Sequence, residues 1–291
     1  MSLQLYREGN TVNRRILLSY TGAFATTLAF PALAGNDSFD TLLAAVEADS
    51  AAFPGASGRV EAKALEASTF AAAQPSVGKS SRKVSARALR MITAFEVSNK
   101  RNYEKKLRNP IWPEGQSGVT IGIGYDLGYV DTVAFESDWK DYLDVTSRKT
   151  LLAALGKKGP AAKNLLERFQ SIDVPFDAAY RQFVEQNLPK YVGLTEYALA
   201  NTAELSADCL GALVSLTYNR GASYLILEAE DRRGRYAEMR EVGRLMDAKD
   251  FKGIPYQIRK MKRLWQGKPE VRGLLERRDM EAALFELGLN T

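Results

Sequence analysis

Residues 117–128 read SGVTIGIGYDLG and are the most informative stretch of this chain of 291 residues. Val119, Ile121 and Ile123 alternate with smaller or polar residues, which is typical of a half-buried β-strand. In such a strand, Thr120 should point away from the buried face. The sequence therefore predicts a strand that presents a hydroxyl group on its open side.

Two glycines and an acidic residue follow within the same stretch. Gly122 and Gly124 lack side chains, which indicates a bend or a close approach of another group to the backbone. Asp126 comes at the predicted end of the strand, where a carboxylate can face a cleft. Together with a second carboxylate from elsewhere, this stretch is typical of an acid–base site.

Composition excludes several kinds of chemistry. The chain contains no histidine, which rules out Ser-His-Asp and Cys-His catalysis and histidine-ligated zinc. Its one cysteine, Cys209, lies in an apolar helical run and is expected to be buried. We expect no cofactor and no metal, so proton chemistry would fall to Asp, Glu, Lys or Tyr side chains.

The net charge is +5, and the basic residues are clustered. Residues 79–108 hold ten Lys or Arg against two acids, and residues 252–278 hold nine against two. Such clusters favour anionic polymers, which include nucleic acids and bacterial cell walls. The alternative interpretation is a solvated basic helix face.

The N-terminal third divides into two segments. Residues 1–34 resemble a secretory signal peptide, with Arg14 and Arg15 before an apolar stretch and an A-x-A-like site ending at Ala34. The alternative is an alanine-rich N-terminal segment without that role. Residues 35–84 are rich in Ala, Ser, Gly and Pro, and predict a short helix near 38–48 followed by a linker.

From residue 85 to residue 291 the pattern is that of a folded domain. Ser85 is a candidate N-cap for a helix that carries Glu96 near its end. Residues 97–118 read as an irregular connection. The predicted class is α+β, mostly helical with one small early sheet. Further helices are predicted at 138–155, 160–170, 177–187, 206–218, 236–247 and 269–287.

Four short motifs follow one another in this domain: Phe95-Glu96, then TIGIG at 120–124, then ALVSLTYNRG at 212–221, and finally GLLERRDMEAALF at 273–285. Each motif is weak alone, but together they cover residues 85–289, about two-thirds of the chain. In this order they resemble the motifs of phage-type lysozymes and the related bacteriocin pesticin.

The resemblance implies a lysozyme-like fold and a muramidase, a hydrolase of the β-1,4 bond between N-acetylmuramic acid and N-acetylglucosamine. By that resemblance Glu96 is the general acid and Thr120 holds the attacking water. Such cleavage requires a second carboxylate. Phage lysozymes place it six residues before the threonine, here Glu114, and pesticin six residues after it, here Asp126. We favour Asp126 as catalytic.

Three further residues are candidates for substrate binding: Glu114, Tyr125 and Asn219. Helix-end capping is the alternative role for Asn219, and Gly221 is a natural C-cap. Tyr125 replaces a histidine of many phage lysozymes, so that histidine's role does not carry over. Tyr103, Trp112 and Tyr129 either line a sugar cleft or pack in the core.

The expected partner is peptidoglycan, with no nucleic acid and no stable membrane insertion, and the expected state is a monomer. The expected location is periplasmic or secreted. A cytoplasmic endolysin or a delivered antimicrobial effector is the alternative. A second function from another class also remains open, a non-catalytic wall-binding or inhibitory module on the same scaffold.

Overall fold

The computed structural model describes residues 36–48, 77–267 and 272–291. These residues are mostly helical, with one small antiparallel sheet of two strands, which confirms the predicted α+β class at this coarse level. Residues 1–34, which carry the signal-peptide prediction, lie outside the described residues. No described helix is long and apolar enough to cross a membrane.

The regular elements are numbered in chain order. The strands are β1 (Thr120–Ile121) and β2 (Tyr125–Asp126). The α-helices are α1 (Asn36–Ala48), α2 (Ala86–Val97), α3 (Lys100–Lys106), α4 (Thr132–Trp139), α5 (Val145–Leu151), α6 (Pro160–Lys163), α7 (Phe176–Gln182), α8 (Leu188–Ala198), α9 (Ala207–Arg220), α10 (Ala237–Asp247), α11 (Ile254–Lys260) and α12 (Arg272–Gly288). A π-helical turn, Phe183–Asn187, joins α7 to α8.

Helix α2 begins where the sequence predicts. The Ser85 side chain accepts a hydrogen bond from the backbone N–H of Ala88, so it satisfies one of the free donors at the helix start. Glu96 occupies the last turn of this helix. The predicted C-cap of α9 is also confirmed, because Gly221 has a φ of 65° and its N–H donates to Thr217.

The glycine-rich stretch forms a hairpin, so the prediction of one continuous strand was wrong. Gly122 and Gly124 have φ values of 58° and 71°, which reverse the chain between β1 and β2. Thr120 pairs with Asp126 across the antiparallel ladder. Asp126 therefore lies in the second strand, and its side chain shares a face of the sheet with Thr120.

The core is organised around α9, which packs against α2, α8 and α12. Leu210, Leu213 and Val214 are fully buried on this helix. Gly211 allows the close contact with α2, because a Cβ there would collide with Ala88. This packing brings the helix that carries Glu96 beside the C-terminal helix.

Helix α1 belongs to this compact unit rather than to a separate segment before residue 85. It packs against α2 and α12, and buries Phe39 and Leu43 completely. Asp40 pairs with Arg87, and Glu47 pairs with Arg90 at 2.9 Å. The helix itself was predicted, but its docking depends on long-range contacts.

The helix predicted over residues 138–155 is two helices in the structure. A new helix, α5, begins after Asp144, because the Asp144 side chain accepts a hydrogen bond from the N–H of Ser147 and caps that helix. The connection at 97–118 also contains a helix, α3, capped by Asn99. Both differences come from capping residues placed inside predicted elements.

Candidate active site

The Glu96 carboxylate is paired with an arginine from the C-terminal helix. Its Oε1 accepts a hydrogen bond from Arg277 Nη1 at 2.8 Å. The side chain of Glu96 is 12% exposed and that of Arg277 is 3% exposed. Glu96 therefore lies at the edge of the core with one oxygen held by a buried guanidinium.

Arg277 is itself part of a buried network between α9 and α12. Its Nε lies 3.1 Å from Glu281 Oε1, and its Nη2 donates to the Ser215 carbonyl at 3.0 Å. Arg278 Nε lies 2.9 Å from Glu281 Oε2. Burial alone would lower the pKa of Arg277, but the charges of Glu96 and Glu281 raise it above its ordinary value.

The hairpin turn closes over the other side of Glu96. A Cβ at Gly124 would lie 3.2 Å from Glu96 Oε2 and 3.0 Å from Tyr218 Oη. Tyr218 Oη donates to the Ile123 carbonyl at 2.7 Å, and so ties α9 to the turn. Any other residue would be crowded and strained here, since the position also has a positive φ.

Tyr191 on α8 lies near both catalytic candidates. Its ring centroid is 4.3 Å from that of Tyr218. Burial, together with the negative charges of Glu96 and Asp126, raises the pKa of Tyr191 to about 12. The structure thus brings both carboxylates within electrostatic range of one phenol group.

Asp126 is held by backbone N–H groups of residues close to it in the sequence. Its Oδ1 accepts hydrogen bonds from the N–H groups of Gly118 and Gly128, each at 2.9 Å. Gly118 must be glycine, because a Cβ there would collide with Asp126 Oδ1 and Gly128. Two backbone donors fix the orientation of this carboxylate.

Thr120 is more enclosed than the strand pattern predicts. Thr120 is 5% exposed, and its Oγ1 has no hydrogen-bond partner among the described residues. A buried hydroxyl without a protein partner is uncommon, and it is the kind of group that binds an ordered water. Thr120 shares its sheet face with Asp126.

The three candidate binding residues lie in different surroundings. Tyr125 packs into the core: it is 4% exposed, its hydroxyl donates to Asp138 at 2.8 Å, and its ring meets Trp139 edge-on. Glu114 is exposed in a turn with a φ of 73°. Asn219 is half-buried, and its Oδ1 accepts from Arg278 at 3.0 Å.

Sequence reasoning missed two aromatic residues of this site. Tyr191 lies in a helix that the sequence prediction left out, and Tyr218 occupies a variable position of the third motif. Asn187 donates to Tyr218 Oη at 3.1 Å and supports it from the π-helical turn. A π-helical turn inside a helix is frequent at functional sites, but no residue pattern in the sequence predicted this one.

Among the described residues, no group of three or more acidic or cysteine side chains is arranged to hold a metal ion. No protein-family model matches the chain, and no curated protein matches it either. The resemblance to phage-type lysozymes therefore rests on the four sequence motifs.

Proposed function

We propose that this protein is a muramidase that hydrolyses the β-1,4 bond between N-acetylmuramic acid and N-acetylglucosamine. One observation carries the proposal. Residues from all four motifs, which are far apart in the sequence, form one network that ends at Glu96: Gly124 of the hairpin lies against it, Arg277 of α12 binds it, and Ser215 of α9 binds Arg277. The lysozyme-like fold is part of the same proposal.

In this mechanism Glu96 protonates the leaving oxygen of the glycosidic bond as general acid. Asp126 acts as the second carboxylate, held in place by two backbone N–H groups. Thr120 Oγ1 positions the water, since its hydroxyl offers one donor and two acceptor positions on the same sheet face. Arg277 orients Glu96 and touches no substrate.

The first test is the isosteric replacement Glu96→Gln. We expect it to abolish the release of reducing ends from purified peptidoglycan, because an amide cannot donate a proton to the leaving group. The fold should survive, since glutamine retains an oxygen that accepts from Arg277. Circular dichroism and the unfolding temperature check this.

Glu47→Gln is the matched control, because Glu47 is also an arginine-paired glutamate but lies on α1. If Glu96→Gln kept near wild-type activity, Glu96 would not be the general acid. If instead the wild-type protein sediments with peptidoglycan and releases no reducing ends, the non-catalytic wall-binding alternative is correct.

The second test compares the two candidates for the second carboxylate. We expect Asp126→Asn to reduce turnover by about 100-fold or more, while Glu114→Gln stays within a few fold of the wild type. Glu114 is exposed in its turn, whereas Asp126 shares a sheet face with Thr120. A larger loss for Glu114→Gln would reverse the assignment.

We propose that the protein is periplasmic or secreted, because the proposed substrate, peptidoglycan, is accessible in those locations. Mass spectrometry of the mature N-terminus tests it: a chain that begins after Ala34 supports export, and an intact Met1 favours an endolysin or an effector delivered by another route.

A further inference from the structure

Two lysines lie over two aromatic rings beside the strand that carries Asp126. Lys158 Nζ is 3.8 Å from the ring centroid of Tyr129, and Lys163 Nζ is 5.4 Å from that of Trp112. We call these four residues the lysine–aromatic shelf. Tyr129 is 46% exposed and Lys163 is exposed, so this surface is open to solvent.

The shelf is fixed by hydrogen bonds to residues 116–117, which precede β1. Trp112 Nε1 donates to the Ser117 carbonyl at 3.0 Å, and Tyr129 Oη donates to the Gln116 carbonyl at 3.1 Å. The segment that carries the lysines, which runs from the loop before α6 to the end of α6, is tied to the same place, because Gly159 N donates to the Ser117 carbonyl at 2.9 Å. The two rings are therefore held in place before any ligand binds.

The shelf also lies directly against the group that holds Asp126. A Cβ at Gly128 would lie 3.0 Å from Lys158 Cγ, and the N–H of Gly128 donates to Asp126 Oδ1 at 2.9 Å. Burial and the charge of Asp126 raise the pKa of Tyr129. A ligand at Asp126 that continues along this side would meet the two ammonium groups.

Some basic residues of the described part of the chain are paired with acids, whereas these two lysines, like several others, are not. Arg90 pairs with Glu47, and Lys262 pairs with Asp279 at 2.7 Å. Among the described residues, neither Lys158 nor Lys163 has a carboxylate within ion-pair distance. Their positive charge is left available to a ligand.

We propose that the lysine–aromatic shelf is a binding subsite for a carboxylate carried by the glycan substrate. The inference rests on the proposed muramidase function and deepens it. Each ammonium group keeps N–H donors directed away from its ring, and these can bind carboxylate oxygens. Each ring already has an ammonium over one face, which disfavours the stacking of nucleobases and favours a small anionic group.

Two carboxylates of peptidoglycan share this chemistry: the lactyl carboxylate of N-acetylmuramic acid, which is free only where no peptide is attached, and the carboxylates of the peptide stem, which is joined to the lactyl group through an amide bond. The test uses the full chain with Glu96→Gln, so that ligands are bound and not cleaved. Calorimetry measures the dissociation constants of three oligosaccharides: a neutral N-acetylglucosamine oligomer, a peptide-free oligomer that contains N-acetylmuramic acid, and the same oligomer with peptide stems.

We expect Lys158→Gln/Lys163→Gln to weaken binding of at least one of the two acidic oligomers about fivefold, the scale of two charge contacts near the surface, and to leave the neutral oligomer unaffected. The loss should shrink at 0.5 M salt, because mobile ions screen such contacts. A loss with the peptide-free oligomer assigns the free lactyl carboxylate, and a loss only with the stem-bearing oligomer assigns the carboxylates of the stem.

The control is Lys149→Gln/Lys252→Gln, which makes the same charge change at two exposed lysines elsewhere. Equal losses for the two double variants would overturn the subsite, as would equally strong competition by a single-stranded oligonucleotide. If the wild type cleaves peptidoglycan while the shelf variant binds normally, only this inference fails. If the protein neither binds nor cleaves any of these glycans, the proposed function fails first.

Discussion

Glu96 and Asp126 are oriented by opposite kinds of contact. Glu96 is held by the guanidinium of Arg277, which lies 181 positions away in the sequence. Asp126 is held by backbone N–H groups two and eight positions away. The first orientation depends on how the helices assemble, and the second depends on one hairpin. Substitutions that disturb the packing of the helices should therefore change the orientation of Glu96 more than that of Asp126.

The largest expected effect comes from Arg277→Met. It leaves Glu96 and Glu281 without their shared guanidinium, and Glu281 is completely buried. We expect the free energy of unfolding to fall by about 3–5 kcal/mol, which is typical when one partner of a buried ion pair is removed. Urea denaturation measures it.

Arg90→Met is the comparison for this prediction. Arg90 pairs with Glu47 at 2.9 Å, but its side chain is 48% exposed. The loss there should stay below about 1 kcal/mol, because exposed ion pairs contribute little. Equal losses in the two variants would mean that the network behind Glu96 contributes no more than a surface pair.

A smaller effect is expected where the two carboxylate regions touch, at Gly124. Gly124→Ala adds a Cβ at 3.0–3.2 Å from Tyr218 Oη and Glu96 Oε2, at a φ of 71°. We expect a loss of stability of about 2–3 kcal/mol, from left-handed strain and overpacking together, and a fall in activity.

Gly156→Ala separates the two causes. Gly156 has nearly the same φ, 70°, but nothing lies within 4 Å of an added Cβ. It should show only the strain, about 1–2 kcal/mol, and unchanged turnover. Thermal unfolding and peptidoglycan hydrolysis are measured on both variants. Equal stability and activity would show that Gly124 is required only for its backbone conformation.

The smallest expected effect is at Ser98, in the turn after the helix that carries Glu96. Ser98 has φ 63° and ψ −74°, and Asn99 N donates to the Val97 carbonyl at 2.9 Å, which together define a strained γ-turn. Ser98→Gly should raise the free energy of unfolding by about 1 kcal/mol, because relief of strain exceeds the added flexibility of the unfolded chain.

Ser98→Ala keeps the strained conformation and removes only the buried hydroxyl group, which has no hydrogen-bond partner among the described residues. It should therefore be less stable than Ser98→Gly. Chemical denaturation ranks the two variants. The reverse order would show that the turn is not strained.

The sequence predicted those parts of the fold that rest on local signals. Ser85 as an N-cap and Gly221 as a C-cap were both confirmed, because capping is a contact within one helix turn. The hairpin was misread as a single strand. Alternating apolar residues indicate a strand but do not show where it reverses, and here two glycines with positive φ place the reversal inside the pattern.

The candidate site was predicted in composition but not in arrangement. Glu96, Thr120 and Asp126 were chosen from motifs, and their catalytic roles remain predictions. Tyr125 was chosen in the same way, yet it donates to Asp138 within the core. Adjacent residues of a strand point to opposite faces, so the pairing that places Asp126 on the side of Thr120 turns Tyr125 away from it.

By itself, the sequence determined which chemistry is accessible. Without histidine, proton transfer falls to Asp, Glu, Lys or Tyr side chains, and the glycines of residues 117–128 indicate where another group can approach the backbone closely. Only the tertiary structure decided which groups surround Glu96. Arg277 binds it and Ser215 binds Arg277 because α9 and α12 pack beside α2, and no local pattern encodes contacts between residues so far apart in the chain.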